Sequence, residues 1–289
     1  MAVNSPHPIF EKFRPFEGVV QPGFTVDFAG VLIDERFFAP RGPFTYEDPT
    51  FVRTGRPPCT GDGYFDLIAV FEAIDRASGQ FVMMELGAGY GYWLSQGAAG
   101  ARQRGLPTQL IGVEAEPDHF RMMIQHLRNN GIPPAQHRLL HAAVAPTDGE
   151  VYFATGQPHT WWGQMIVSGR RHRTPGIKRE KIVRIPAVSL NTLLKDLAHV
   201  NVLHMDVQGV ELAVLSSGFA QVTSKVMTAI VGTHSAEIEA GLRSLFGGAG
   251  WRPVYDFARD RVNATPFGDV PFEDGLQVWE NPRLLPSER

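Results

Sequence analysis

From Tyr64 onward the apolar positions Phe65, Ile68, Ala69, Phe71 and Ile74 recur at three- and four-residue intervals, the spacing of an amphipathic helix that runs out at Ser78-Gly79. Beyond it, short apolar runs alternate with helical stretches, the pattern of parallel strands joined by crossover helices. The spacing predicts strands near 81–86, 110–114, 138–144, 200–206 and 226–232, with helices near 92–104, 117–130, 209–216 and 236–246. An α/β fold with a doubly wound sheet is expected. Two more strand-like runs, 252–258 and 276–280, flank a polar loop containing Asn263, Pro266 and Gly268. With no helix between them, they should pair antiparallel at one edge.

Two segments stand outside this rhythm. Residues 1–60 are rich in proline, glycine and aromatics (Phe10, Phe13, Phe16, Phe24, Phe28, Phe37, Phe38) without a sustained period. Too aromatic for a disordered tail, they read as an irregular extension, suited equally to a cap on the main domain at 61–289 and to a homodimer interface. After a turn at Asp148-Gly149 and a short strand at 150–155 comes an insertion, 156–181, with Trp161, Trp162 and the run Arg170-Arg171-His172-Arg173. Insertions of that length are commonly functional loops, and this one is expected to act as a lid.

Composition narrows the function class. The 289 residues suffice for one large domain or two small ones. A net charge of −3 supplies no general attraction to nucleic acid or anionic membrane, so neither is an expected partner. Cys59 is the only cysteine, which rules out an intramolecular disulfide and a cysteine-rich metal site and fits a reducing cytoplasm. Met1 to Phe16 carry Pro6, Pro8 and Pro15 among charges and lack the apolar run of a signal peptide or membrane span.

The chemistry begins where the first strand enters Glu85-Leu86-Gly87-Ala88-Gly89-Tyr90-Gly91. Glycines there permit backbone angles denied to other residues and let a ligand approach the amides at a helix start. A dinucleotide fingerprint requires a sixth-position glycine, and counting from Gly87 that residue is Tyr92. No Gly-Lys-Ser or Gly-Lys-Thr follows, so a P-loop is excluded. The second strand ends in Val113-Glu114-Ala115-Glu116-Pro117. An acid at this carboxyl end sits beside the first loop and can accept hydrogen bonds from both hydroxyls of a ribose; it can alternatively cap the next helix.

These pieces occur in order with Ala142-Ala143-Val144, Asp148-Gly149-Glu150-Val151, Val188-Ser189-Leu190-Asn191-Thr192-Leu193-Leu194 and Met205-Asp206-Val207-Gln208-Gly209-Val210-Glu211. Together they resemble the FkbM-type methyltransferases over the stretch from Phe81 to about Pro253. The resemblance implies a Rossmann-like class I methyltransferase fold with a mostly parallel seven-stranded sheet and an antiparallel edge hairpin. It implies S-adenosyl-L-methionine as cofactor, with contacts from Glu85, Gly87, Ala88, Gly89, Gly91, Glu114, Ala115, Ala143 and Asp206. The expected reaction is O-methylation of a sugar or polyketide-like small molecule. Three departures concern the acceptor pocket and not the cofactor end. Asn191 stands where the family usually has aspartate, Gln208 where it has glutamate, and Val231-Gly232-Thr233-His234 where a glutamate-containing segment is more common.

Ligands of open α/β sheets bind outside the carboxyl ends of the strands, where Asp206 and His234 fall. Positioning of the acceptor contributes most to methyl transfer, about 7–11 kcal/mol, and a general base adds a factor of roughly 10²–10⁴. His234 is the first candidate base because imidazole titrates near neutrality; its alternative role is to open the following helix. Asp206 is the second candidate, or an acceptor-orienting group. Were Asp206, Glu211 and His234 to gather, a divalent metal would be conceivable, but Glu211 is expected to point along its helix, and no metal is favoured. His204, on the same sheet side as Asp206, reads as a hydrogen-bonded core histidine; His119, His126, His137 and His141 read as surface or packing residues. Trp161, Trp162 and Gln208 are the candidate acceptor contacts, and the basic run with Lys178, Arg179 and Lys181 either meets an acidic acceptor or is a solvated face. N-methylation, a lipid-like acceptor or a non-catalytic module binding a nucleotide metabolite remain the competing functions.

Overall fold

The computed structural model describes residues 6–38, 49–54, 63–169 and 180–285. Cys59, the run Arg170–Arg173, Lys178 and Arg179 therefore lie outside the described residues. The predicted alternation is present, with one short helix, α4, that the periodicity did not predict: α1 (Gly63–Arg76), β1 (Phe81–Leu86), α2 (Tyr92–Gln103), β2 (Thr108–Glu114), α3 (Pro117–Asn129), β3 (Arg138–His141), α4 (Leu190–Leu194), β4 (Val200–Met205), α5 (Glu211–Lys225), β5 (Val226–Thr233), α6 (Ala236–Gly248), β6 (Arg252–Phe257) and β7 (Gly275–Glu280). The seven strands lie in the order β6-β7-β5-β4-β1-β2-β3, with β7 alone antiparallel to its neighbours. The chain winds outward from β1 to β3 and then returns to place β4 against the other side of β1. That reversal opens a crevice at the carboxyl ends of β1 and β4, where an open α/β sheet binds its ligands.

Every residue of β1 and β4 is buried, as expected of central strands covered on both faces. Alternate side chains feed opposite cores. Met83 and Val202 join a core with Phe65, Phe71 and Leu94 of α1 and α2, while Met84 and Leu203 join one with Leu190, Leu215 and Phe246 of α4, α5 and α6. Local chemistry sets the helix starts. Glu116 accepts the amide of His119 at 2.7 Å ahead of Pro117, and Ser235 accepts the amide of Ile238 at 3.2 Å. The N-terminal aromatics enter the first core, Phe10, Phe13 and Phe28 surrounding Phe71 with ring centroids 5.6, 4.5 and 6.3 Å away. Among the described residues no helix is long and apolar enough to cross a membrane.

Four expectations are corrected. The run 138–144 is not one strand: Arg138–His141 pairs with β2, whereas Ala143–Val144 pairs with Lys181–Val188 in a second, four-stranded sheet that also contains Gly149–Thr155 and Ile166–Val167. Similar apolar character serves both halves, so only the available partner divides them. The 259–274 segment carries a hairpin, Arg261–Thr265 against Gly268–Phe272, which buries Val270 and Phe272 and leaves Val262, Ala264, Asp269 and Pro271 exposed. The helix expected to end at 216 continues to Lys225, because Gly218 is no stop signal but a gap in the helix surface filled by Leu190 of α4. The extension before α1 is also less irregular than its sequence: Glu17–Val20 pairs with Thr50–Arg53, and Phe24–Val26 with Leu32–Asp34.

Phe71 is fully buried where the N-terminal aromatics meet α1. Phe71→Ala should destabilise the protein by about 3–5 kcal/mol through lost burial and an incompletely collapsing cavity. Urea unfolding of variant and wild type checks this, the expected result being a lower midpoint with an unchanged slope.

Candidate active site

At the end of β1 the backbone turns sharply: the amides of Gly87 and Ala88 both donate to the carbonyl of Val113 at 3.0 Å, and that of Gly91 donates to Ala88 at 2.7 Å. Gly87 has φ +75°, and a Cβ there would collide with the main-chain carbonyl of Asp206, so the close passage of the β1 and β4 loops admits only glycine. Gly91 is also left-handed, at +76°, but a Cβ on it would meet Met123 at 2.8 Å. Its glycine serves the entry and packing of α2, and Gly91 is not part of the cavity wall.

Two carboxylates flank this turn. Glu114 is buried at the end of β2, where its Oε2 accepts the amide of Gly89 and its Oε1 the amide of Glu116, both at 2.6 Å. Burial pushes its pKa up to about 8, against the pull of those amides. Glu85 accepts the amide of Leu94 at 2.9 Å, at the open end of α2, and burial raises it to about 7 although His204 and the helix amides oppose the shift.

The other end of the cleft is built on the loop after β4. Gln208 holds φ +57°, an uncommon conformation for a residue with a Cβ, and is followed by Gly209 at +103°. Glu211 stabilises this turn. Fully buried at the start of α5, it accepts the amides of Val207 at 3.3 Å and Gly209 at 3.0 Å, so it folds back onto the loop instead of pointing along its helix. The same carboxylate bonds Nδ1 of His234 at 2.7 Å, and Nε2 of that ring lies 3.3 Å from Asp206 and 3.8 Å from Asp274. Burial disfavours the imidazolium, but Glu211, Asp206 and Asp274 together leave the His234 pKa above its ordinary value. Asp206 opens onto the cleft with 44% of its side chain exposed and receives a bond from the Gln208 amide at 2.7 Å. The surrounding protein raises its pKa, helped by Glu211 and resisted by His234. Ligand atoms of Asp206, Glu211 and His234 lie within 4.8 Å of one another, close enough to share one divalent cation.

One cavity of about 290 Å³ joins these two ends. Its wall contains Glu85, Gly87, Ala88, Gly89, Glu114, Ala115 and Ala143 from the expected cofactor set, together with Asp206, Gln208 and Trp162. His234 stands behind Asp206 outside the wall, and Trp161 does not line it. Sequence reasoning missed Trp93 at the start of α2, Phe153 and Ile166 of the second sheet, Gln164 in the loop just before Ile166, and His119. The ring of His119 lies flat against Trp162 at 4.1 Å with an 8° interplanar angle, beside Gly89, and its Nε2 meets the carbonyl of Pro158 at 2.7 Å. Its position three residues into a helix that starts at the carboxyl end of β2 was the available signal. Asn191, one of the departures from the family pattern, bonds the carbonyl of Ser217 on the α4–α5 surface, away from the cavity.

The methyltransferase FkbM domain matches residues 85–257. A protein of Jannaschia sp. (strain CCS1), provisionally named a methyltransferase, is 26% identical over 286 residues, covering 94% of this chain and 98% of its own. Similar solved structures include the precorrin-6y C5,15-methyltransferase of Geobacter metallireducens GS-15, with a TM-score of 0.43 and 7% identity over 74% of this chain and 85% of that one. Another is the C-terminal domain of the Rhodobacter capsulatus precorrin-6Y C5,15-methyltransferase, with a TM-score of 0.43 and 12% identity over 77% and 92% of the two chains.

The Glu114 carboxyl has a folded pKa near 8 against an ordinary value of 4.5. The folded state therefore holds a proton that the unfolded chain releases, and this contribution to stability is complete below about pH 4.5 and is lost as the pH rises toward 8. Glu114→Gln escapes that loss. Its unfolding free energy relative to wild type should rise between pH 5 and pH 8, as measured by urea unfolding across that range; a pH-independent difference would contradict the raised pKa.

Proposed function

Because the chain belongs to the FkbM methyltransferase family, we propose that it transfers the methyl group of S-adenosylmethionine to a hydroxyl oxygen of a small molecule of sugar or polyketide type. The observation that carries this reading is the single cavity running from the glycine turn and Glu114 to Asp206. Its residues suit the cofactor. The left-handed turn at Gly87 brings backbone close to a ligand, and Glu114, at the carboxyl end of β2, is placed to accept ribose hydroxyls. Trp162, flat against His119 beside Gly89, offers an aromatic face to the adenine in preference to the acceptor. Gln208 remains for the acceptor side.

Bound in this way, S-adenosylmethionine supplies a methyl carbon on a cationic sulfur, which leaves with the electron pair of the broken C–S bond. The protein orients the acceptor oxygen in line with that carbon and removes its proton as the new C–O bond forms. Asp206 is the group that faces the acceptor, and the proton passes to its carboxylate. His234 acts through Asp206 as a positioning residue: Glu211 fixes its Nδ1, so Nε2 is presented to the Asp206 carboxylate. The loop amides that Glu211 holds keep Gln208 in its left-handed conformation and Asp206 at the cavity edge.

Calorimetry with S-adenosylmethionine and S-adenosylhomocysteine, followed by a methyl-release assay over sugars, other hydroxylated compounds and amines, tests the proposal. Binding of both nucleosides and turnover with hydroxyl acceptors are expected; no binding at millimolar concentration, or transfer to amines alone, overturns it. Above about pH 8, where the Glu114 carboxyl is ionised, Glu114→Ala should weaken cofactor affinity by well over about tenfold, as loss of charge-assisted bonds requires. His234→Ala should leave that affinity unchanged while lowering kcat by roughly 10²-fold.

A further inference from the structure

Beside Asp206 the chain brings together more acidic groups than proton transfer requires. Thr233 at the end of β5 pairs with Gly275 at the start of β7, so the next residues outward, His234 and Asp274, fall opposite each other. A Cβ on Gly275 would collide with Thr233 and Glu239, and glycine there permits this close approach. Asp206 follows β4, the parallel neighbour of β5.

The two ring nitrogens of His234 are unequally used. Nδ1 bonds Glu211 at 2.7 Å, and Glu211, fully buried, is itself held by the amides of Val207 and Gly209. Nε2 is buried and has no hydrogen-bond partner among the described residues. What faces it is a pair of carboxylates, Asp206 at 3.3 Å and Asp274 at 3.8 Å, whose side chains are 44% and 51% exposed. A small ion can therefore enter from solvent between the two carboxylates, where a larger ligand would be blocked.

The separations fit a shared ion better than a hydrogen bond. An N–H···O bond spans about 2.7–3.2 Å. Ligands about 2.1 Å from an octahedral cation lie about 3.0 Å apart when adjacent and about 4.2 Å apart when opposite, and both distances from Nε2 fall within that span. A carboxylate on the far nitrogen of a metal-binding histidine fixes its tautomer and aims the other nitrogen at the metal. Glu211 is placed to do this. Three carboxylates around one imidazole also carry more negative charge than a protonated ring can balance, and a divalent ion supplies the remainder.

We propose that an oxygen of Asp206 and Nε2 of His234 bind a divalent cation of the Mg²⁺ or Mn²⁺ kind, joined by Asp274 through rotation of its exposed side chain, and that this cation holds the acceptor oxygen. The ion site stands on these residues alone, while its part in the reaction rests on the methyl-transfer reading above. Asp206 lines the cavity and His234 lies behind it, so the ion sits at the cavity edge. There it draws electron density from the acceptor hydroxyl and eases loss of the proton, which passes to the Asp206 oxygen that the ion does not use.

Titration of the full chain, stripped with EDTA, with Mn²⁺ and no nucleoside, followed by electron paramagnetic resonance, tests the site. About one ion per chain should bind with Kd below about 1 mM, and its spin-echo modulation should show a directly coordinated ¹⁴N. His234→Gln should abolish that nitrogen signal, and both it and Asp206→Asn should weaken Mn²⁺ binding by at least about tenfold. The nitrogen signal of the wild type decides the matter if a variant does not fold. No saturable binding by wild type, binding without the nitrogen signal, or undiminished affinity in His234→Gln overturns the site, whatever the result with S-adenosylmethionine. EDTA should also lower methyl release by at least about tenfold without changing the calorimetric affinity for S-adenosylmethionine. Undiminished release overturns the role in the reaction and leaves the ion site. Failure of the wild type to bind S-adenosylmethionine removes the methyl-transfer reading and that role with it, again leaving the ion site.

Discussion

The main-chain carbonyl of Asp206 lies against the Cα of Gly87, so closely that any side chain at 87 would occupy its space. This contact is the point on which the site turns. It lets the loops leaving β1 and β4 cross at the carboxyl edge of the sheet, fixed also by the 2.8 Å bond from the Asp206 amide to the carbonyl of Leu86. The two strands then remain in register to their ends, and Glu85 and His204 become neighbours in one wall. Separation of these strand ends by even one residue's width would move Asp206 from the glycine turn and divide the cavity.

Two histidines near the cleft are held in the same way but serve different ends. Each has one ring nitrogen tied to a buried carboxylate, Nε2 of His204 to Asp66 and Nδ1 of His234 to Glu211. Such an anchor fixes the ring and favours its protonated form. What differs is the space the second nitrogen meets. For His234 it is the gap between Asp206 and Asp274, where three carboxylates surround one imidazole. For His204 it is a closed interior beside Trp93, with no hydrogen-bond partner among the described residues.

The segment before α1 meets the loop at 156–165 beside Tyr90 and Trp162, two residues of the cavity wall. Phe37 and Phe38 reach Tyr90 at 5.7 and 5.5 Å, and Phe38 reaches Trp162 at 5.4 Å. His159 bonds the carbonyl of Phe37 at 3.1 Å, tying the insertion to the extension. The extension is also anchored below, since Asp27 accepts a bond from Gln96 of α2 and the amides of Ala29 and Val31 at 3.0 Å. Aromatic contacts of this kind contribute about 0.5–1.5 kcal/mol each beyond their burial.

Local periodicity determined the strands of the central sheet to within a few residues, and the glycine turn with Glu114 marked one end of the cavity, because strand alternation, helix spacing and positive-φ turns are written in neighbouring residues. The family could likewise be read from ordered motifs between Glu85 and Glu211. Tertiary structure decided whatever depends on a distant partner. It broke 138–144 between two sheets, turned Glu211 back onto its loop and His234, brought His119 and Trp162 together, and placed Asp66, 138 residues away in sequence, against His204. No pattern along the chain encodes such pairs, since a hydrogen bond between α1 and β4 depends on the packing of the helix over the sheet and not on the residues flanking either partner.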